Sequence, residues 1–142
     1  MKKPSLQISP LRLVKWCTQW QNKENWDKVP LKLRGVYVLY NGDSEKKFYN
    51  VVYVGMAASG AGIRRRLENH YFSKRKGDKW THFSFFAVWP NIRNDEIREL
   101  EALIGEMFRK DQNAISLAKQ KKSKAIQKVR CKKISEWPQC AL

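Results

Sequence analysis

The sequence predicts an α+β fold: a small three-stranded antiparallel sheet flanked by helices, with an N-terminal helix and a basic C-terminal helical extension. Three observations carry this prediction. GVYVLY (35–40) and FYNVVYVG (48–55) are Val/Tyr-rich runs separated by the polar NGDSEKK, the pattern of a hairpin. THFSFFAVWP (81–90) supplies a third strand that proline ends. IRRRLENHYF (63–72) and EIRELEALIGEMF (96–108) carry apolar residues at the three- and four-residue spacing of a helix face.

In chain order, Ser9 reads as an N-cap with Pro10 at the first helical position, and Leu13, Trp16, Cys17 and Trp20 mark an apolar helix face. Pro30 closes this N-terminal embellishment, residues 1–30. A two-residue turn at Asn41-Gly42 would force the charged residues 43–47 into a strand, so a longer loop centred near Glu45 is preferred. That register sets Tyr37 opposite Tyr53 on one sheet face. A small-residue loop, MAASGAG, leads into the first helix, and Asn94-Asp95 caps the second. No repeat or low-complexity linker divides the 142 residues, which make one domain with a core at 34–114 and a basic extension at 115–142.

Charge sets the class of partner. The chain has 29 Lys+Arg against 13 Asp+Glu, a net +16, and such self-repulsion calls for an anionic partner, most simply a nucleic acid. Residues 109–133 hold ten Lys/Arg against one acid, Asp111, a surplus of nine. Basic runs at SKRKGDKW (73–80) and AKQKKSKAIQKVRCKK (118–133) offer phosphate contacts, among them Lys74, Arg75, Lys76, Lys121, Lys122 and Lys124, with Arg64 and Arg65 on the short helix. Three cysteines without a C-x-x-C pair fit reduced thiols in an intracellular, cytoplasmic or nucleoid-associated protein. No apolar run follows the N-terminal lysines and none approaches membrane-span length, so neither signal peptide nor membrane is expected.

Several residues break their local pattern. Glu101 lies four residues after Ile97 and three before Ile104, inside the stripe that should be dry, whereas Glu99 and Glu106 lie off it. Arg66 and His70 fall three and seven residues after Ile63 and are themselves stacked neighbours. Singly, each has a plain explanation: a snorkelling arginine, a satisfied core histidine, a glutamate in a structural salt bridge, tyrosines following β-propensity. Together, a carboxylate, a guanidinium, an imidazole and two facing phenols make a constellation of mutually useful groups.

GVY at 35–37, YVG at 53–55, Arg66 with His70 four later, Glu101 on the long helix and Asn113 beyond it resemble the GIY-YIG nuclease superfamily over residues 34–114. Both tripeptides have Val where the name has Ile, and the loop from Gly55 to Arg66 is longer and richer in Gly and Ala than in the shortest members. The choice of Arg66 over its neighbours rests on the Arg-x-x-x-His spacing and Leu67. Helix-to-Asn spacing looks closest to the restriction-endonuclease members. The resemblance implies hydrolysis of DNA phosphodiester bonds with one Mg²⁺ or Mn²⁺ per site. Glu101 would supply its hard oxygen ligand, Arg66 and Tyr53 would hold the phosphate, and Tyr37 with His70 would activate water.

Asn113 would buttress the metal shell or a phosphate, or serve as an ordinary turn residue. Trp80 and Trp89 read as core more than as base-stacking platforms. DNA is the expected partner in preference to RNA, and a homodimer is one way to cut both strands. The rival readings are a non-cleaving nucleic-acid-binding module with an inherited fold, and a small subunit docking an acidic protein.

Overall fold

The computed structural model describes residues 12–43, 45–46, 48–75 and 77–109. Ser9, Pro10, Lys76, Asn113, Lys121, Lys122, Lys124 and the basic extension lie outside the described residues. The order is β1 (Val14–Asn22), a 3₁₀ turn (Lys23–Lys28), β2 (Gly35–Asp43), β3 (Phe48–Ala57), α1 (Ile63–Tyr71), a second 3₁₀ turn (Gly77–Lys79), β4 (His82–Val88) and α2 (Asn94–Arg109). The class is α+β, and all four strands form one antiparallel sheet in the order β1-β4-β2-β3.

Two expectations about the sheet are corrected. The sheet has four strands where three were expected, because the segment expected to be an N-terminal helix is strand β1. Its Leu13, Trp16, Cys17 and Trp20 fit helical spacing, yet Trp16, Cys17 and Trp20 stay exposed. What the segment gains instead is backbone pairing with the open side of β4, from Val14↔Val88 to Asn22↔His82. The hairpin register also differs. Tyr37 faces Gly55 and Leu39 faces Tyr53, two residues away from the expected pairing, with an irregularity between Leu39 and Tyr40. Where residues 35–39 meet 53–57 the shift of two keeps each side chain on its face, so the two tyrosines remain neighbours diagonally.

The sheet separates two packed layers. Tyr37, Leu39, Phe83 and Phe85 bury against Ile63 and Leu67 of α1, with Val29 and Trp80 completing the cluster. Val36, Val38 and Val54 bury against Ile97 on the opposite face, with Leu100, Ile104 and Phe108 packed around them. A nine-residue helix such as α1 is marginal alone, so Ile63 and Leu67, both fully buried, hold it. Trp80 is fully buried and Trp89 packs on the α2 side, so both belong to the core.

At Gly35 the backbone has φ +154°, and a Cβ would collide with the carbonyl oxygen of Phe86 on the adjoining strand. Backbone cannot step aside as a side chain can. Gly35→Ala is expected to cost about 3 kcal/mol, read as a lowered denaturation midpoint with unchanged slope in urea unfolding.

Arg34, next in the chain, ties three segments together. Its Nε donates to the carbonyl of Ala58 at 3.1 Å, and one terminal nitrogen donates to the Ile92 carbonyl at 2.6 Å and Asn94 Oδ1 at 2.7 Å. The Asn94 side chain is thereby used as an acceptor for Arg34 and does not cap α2 as expected. Asp95 does take part at the helix start, its Oδ1 accepting from the Glu96 N–H at 3.1 Å, and the Glu96 carboxylate accepts from the Arg93 N–H at 3.0 Å.

Candidate active site

The site grows from the middle of the hairpin. Tyr37 projects from β2 into the α1 layer and is only 2% exposed. Opposite it stands Gly55, where a Cβ would lie 2.5 Å from both Cζ and Oη of Tyr37 and 2.7 Å from Cε1 of Tyr53. The phenol ring therefore crosses the partner strand through space that only glycine leaves open. Tyr53 lies alongside, ring centroids 6.1 Å apart and 25° from parallel.

His70 closes this arrangement from α1. It is buried, its ring centroid is 4.7 Å from Tyr53 and 5.6 Å from Tyr37, and its Nε2 is 2.9 Å from the Tyr37 hydroxyl. The Trp80 indole N–H donates to the His70 carbonyl at 3.5 Å, pinning the end of α1 against the core. One helical turn before His70, Arg66 is exposed. Glu101 comes from α2 on the other face. β3 is an edge strand, and at an open edge groups from the two faces of a sheet can meet.

Electrostatics links all four elements. Burial pushes the Tyr37 phenol well above its ordinary value; the neighbouring Tyr53 and Glu101 add to the rise, while Arg66 opposes it. Tyr53 is raised for the same leading reason, with its hydrogen bond to Tyr37 and the charge of Arg66 opposing and Glu101 reinforcing. Burial also raises Glu101, which the nearby Arg98 offsets in part. Hence the arginine and the glutamate both lie within electrostatic reach of both phenols.

The plain explanation for Glu101 was a structural salt bridge with a buried arginine. Among the described residues the ion pairs are Arg65–Glu68, Arg93–Asp95 and Arg93–Glu96, and none involves Glu101 or Arg66. Neither side chain makes a hydrogen bond within the described residues. A half-buried carboxylate without a partner is destabilising, and an exposed guanidinium without one is ready to take an anion. The structure thus brings Tyr37, Tyr53 and His70 into contact and sets Arg66 and Glu101 within electrostatic reach of both phenols, whereas Asn113 lies outside the described residues.

Comparison with family models, curated proteins and solved structures found no significant match. The chemistry therefore has to be derived from the side chains themselves.

A divalent cation fits Glu101 on its donor chemistry. Its carboxylate is a hard oxygen ligand with no ion pair among the described residues, and burial disfavours its charge more than Arg98 offsets. Among the described residues no group of three or more His, Cys, Asp or Glu could cage an ion. One carboxylate suits Mg²⁺ or Mn²⁺, which keep waters and take phosphate oxygens as further ligands.

The expected phosphate contacts are distributed less evenly. Lys74 and Arg75 are exposed beyond α1. Arg65 pairs with Glu68 at 3.5 Å on the surface, and Arg64 sits 5.9 Å over the Trp26 ring. Gly55 acquires a role that its place in the motif did not give it. A glycine in the interior of a strand is the local signal for such a close approach.

Proposed function

We propose that this chain is a metal-dependent DNA endonuclease with a GIY-YIG-like site, hydrolysing phosphodiester bonds through a water nucleophile. One observation carries the reading. A carboxylate and a guanidinium, both unpartnered within the described residues, share a site with two phenols, one of which is bonded to a buried imidazole. A non-cleaving binder has no use for a half-buried carboxylate that costs it stability.

Arg66, exposed and without an ion pair among the described residues, receives the scissile phosphate with its planar fork and offsets the charge that builds in the transition state. The Tyr53 hydroxyl orients the same group. Tyr37 is held neutral by burial, so it does not act as a standing base. Its hydroxyl instead passes its proton to Nε2 of His70, 2.9 Å away, as it takes one from the attacking water. This route requires the His70 tautomer with Nε2 bare. A cation on Glu101 would neutralise phosphate charge and make the water more acidic. DNA is the substrate we favour, and a homodimer would allow paired cuts in a duplex.

The test is conversion of supercoiled plasmid to nicked circles by the purified chain. Conversion is expected with Mg²⁺ or Mn²⁺ and none with excess chelator. DNA binding without metal-dependent conversion would overturn the proposal and leave the binding module in its place.

A further inference from the structure

A second site lies on the α1 side of the sheet, built largely by the segment ahead of the hairpin. It is a cleft of about 300 Å³ between β1, the first 3₁₀ turn and β4. Phe83 and Phe85 are its buried apolar floor, and Trp16, Gln21, Asn25 and Lys28 line it above. Trp16 meets Phe85 edge-on at 5.7 Å and 80°, and remains 45% exposed. Asn25 is half-buried, and its amide has no hydrogen bond within the described residues.

We infer that this cleft binds one unpaired nucleobase of the nucleic acid engaged at the candidate active site. This inference rests on the nucleic-acid part of the proposed function, though not on cleavage. Three observations select that occupant. The first is chemistry: an aromatic face for stacking, amides able to donate and accept at a base edge, and a lysine for the adjoining phosphate. The second is size. The volume sits at the small end of ligand sites, which suits a single heterocycle and excludes a duplex.

The third is charge and continuity. Arg64, Arg65, Arg66, Lys74, Arg75 and Lys79 gather on and after α1 against Glu68 and Asp78, and Lys23 and Lys28 balance Glu24 and Asp27 in the 3₁₀ turn, whereas α2 on the opposite face carries Asp95, Glu96, Glu99, Glu101 and Glu106 against Arg98 and Arg109. A polyanion is therefore drawn to the face that holds the cleft. Trp26, next to Asn25, packs on Tyr71 and Phe72 at 5.9 and 5.7 Å and lies under the Arg64 guanidinium. The 3₁₀ turn thus joins the cleft directly to the helix bearing Arg66 and His70.

The test uses the full chain carrying Glu101→Ala, so that binding is read without cutting, and two labelled single strands. One is oligo-dT; the other has the same length and phosphates but abasic sugars. Anisotropy titrations are expected to show the base-bearing strand held about tenfold tighter, the contribution of one base stacked on an aromatic ring. Trp16→Ala should erase that preference while leaving the abasic strand's affinity unchanged, and Asn25→Ala should reduce it. Equal binding of the two strands, a preference that survives Trp16→Ala, or no binding of either strand would overturn the inference. Failure of plasmid nicking alongside an intact base preference would remove the nuclease reading and leave this site standing. Circular dichroism of the variants checks that the fold is kept.

Discussion

Replacing Glu101 with glutamine is expected to lower Mg²⁺-dependent plasmid nicking by about a thousandfold, and yet to raise the melting temperature of the metal-free protein slightly. Glutamine keeps the shape and packing of the side chain and removes only its charge. Burial holds the wild-type carboxyl above its ordinary range, so the folded protein keeps this proton to a higher pH than the unfolded chain does. Below the ordinary carboxylate range both states are protonated and the residue is neutral in cost. As pH rises through the window up to the raised value, the unfolded state ionises first and stability is lost.

Wild type and Glu101→Gln should therefore melt together at acid pH and diverge towards neutrality, the variant ending higher by something on the order of 2 °C. Added Mg²⁺ should raise the melting temperature of the wild type and leave the variant unmoved, a readout of the ion that needs no catalysis. DNA affinity at fixed salt should be nearly unchanged, as it should be in Glu101→Ala. Equal nicking by wild type and Glu101→Gln would reject the assignment.

Gly55→Ala is the second large effect expected, at least a hundredfold loss of nicking from a methyl group that touches no substrate. The added carbon would sit 2.5 Å from the Tyr37 hydroxyl and Cζ. The ring is buried between Tyr53 and His70 and can only leave by giving up the 2.9 Å contact with Nε2. A displacement of about 1 Å in a reacting group is enough for such a loss. Tyr37→Phe, which keeps the ring and deletes the hydroxyl, should cost a similar factor within the general acid–base range of about 10²–10⁴. The discriminating measurement is the double variant. If both act through one hydroxyl, adding Gly55→Ala to Tyr37→Phe should lower the rate little further. Multiplication of the two losses would show that the alanine harms something other than the relay, and urea unfolding would separate that from lost folding.

How much of this was legible in the sequence depends on which residues carry a local signature. Hydrophobic periodicity placed α1 and α2 within a residue or two, because Ile63, Leu67, Ile97 and Leu100 each repeat on the buried side. Glu101, Arg66 and His70 stood out because each breaks that repeat; the structure sets His70 against both tyrosines, with Arg66 and Glu101 in electrostatic reach of them. Irregular strand pairing contributes to both misreadings of the sheet. In β1 the register shifts between Val14 and Trp16 and again between Thr18 and Gln21, which destroys the two-residue alternation and leaves a spacing that mimics a helix. In the hairpin the pairs beside the turn, such as Asn41↔Asn50, already lie one residue off the expected register, and the shift between Leu39 and Tyr40 adds the second, which sets Tyr53 opposite Leu39. An extra residue in one strand leaves no mark on composition, so counting from the turn could not reveal it. The cleft was invisible for a related reason, since Trp16, Asn25 and Phe83 meet only once β1 has paired with β4.

Arg34 has a mechanical consequence for any ligand held between the two helices. Its guanidinium fastens the first residue after β3 to the loop and leading residue of α2, at bond lengths of 2.6–3.1 Å. On the proposed reading, these bonds brace the rim between β3 and α2 where a strand would enter. Arg34→Ala should loosen that spacing, weakening turnover more than capture, because the two grips on one phosphate would no longer be held in step.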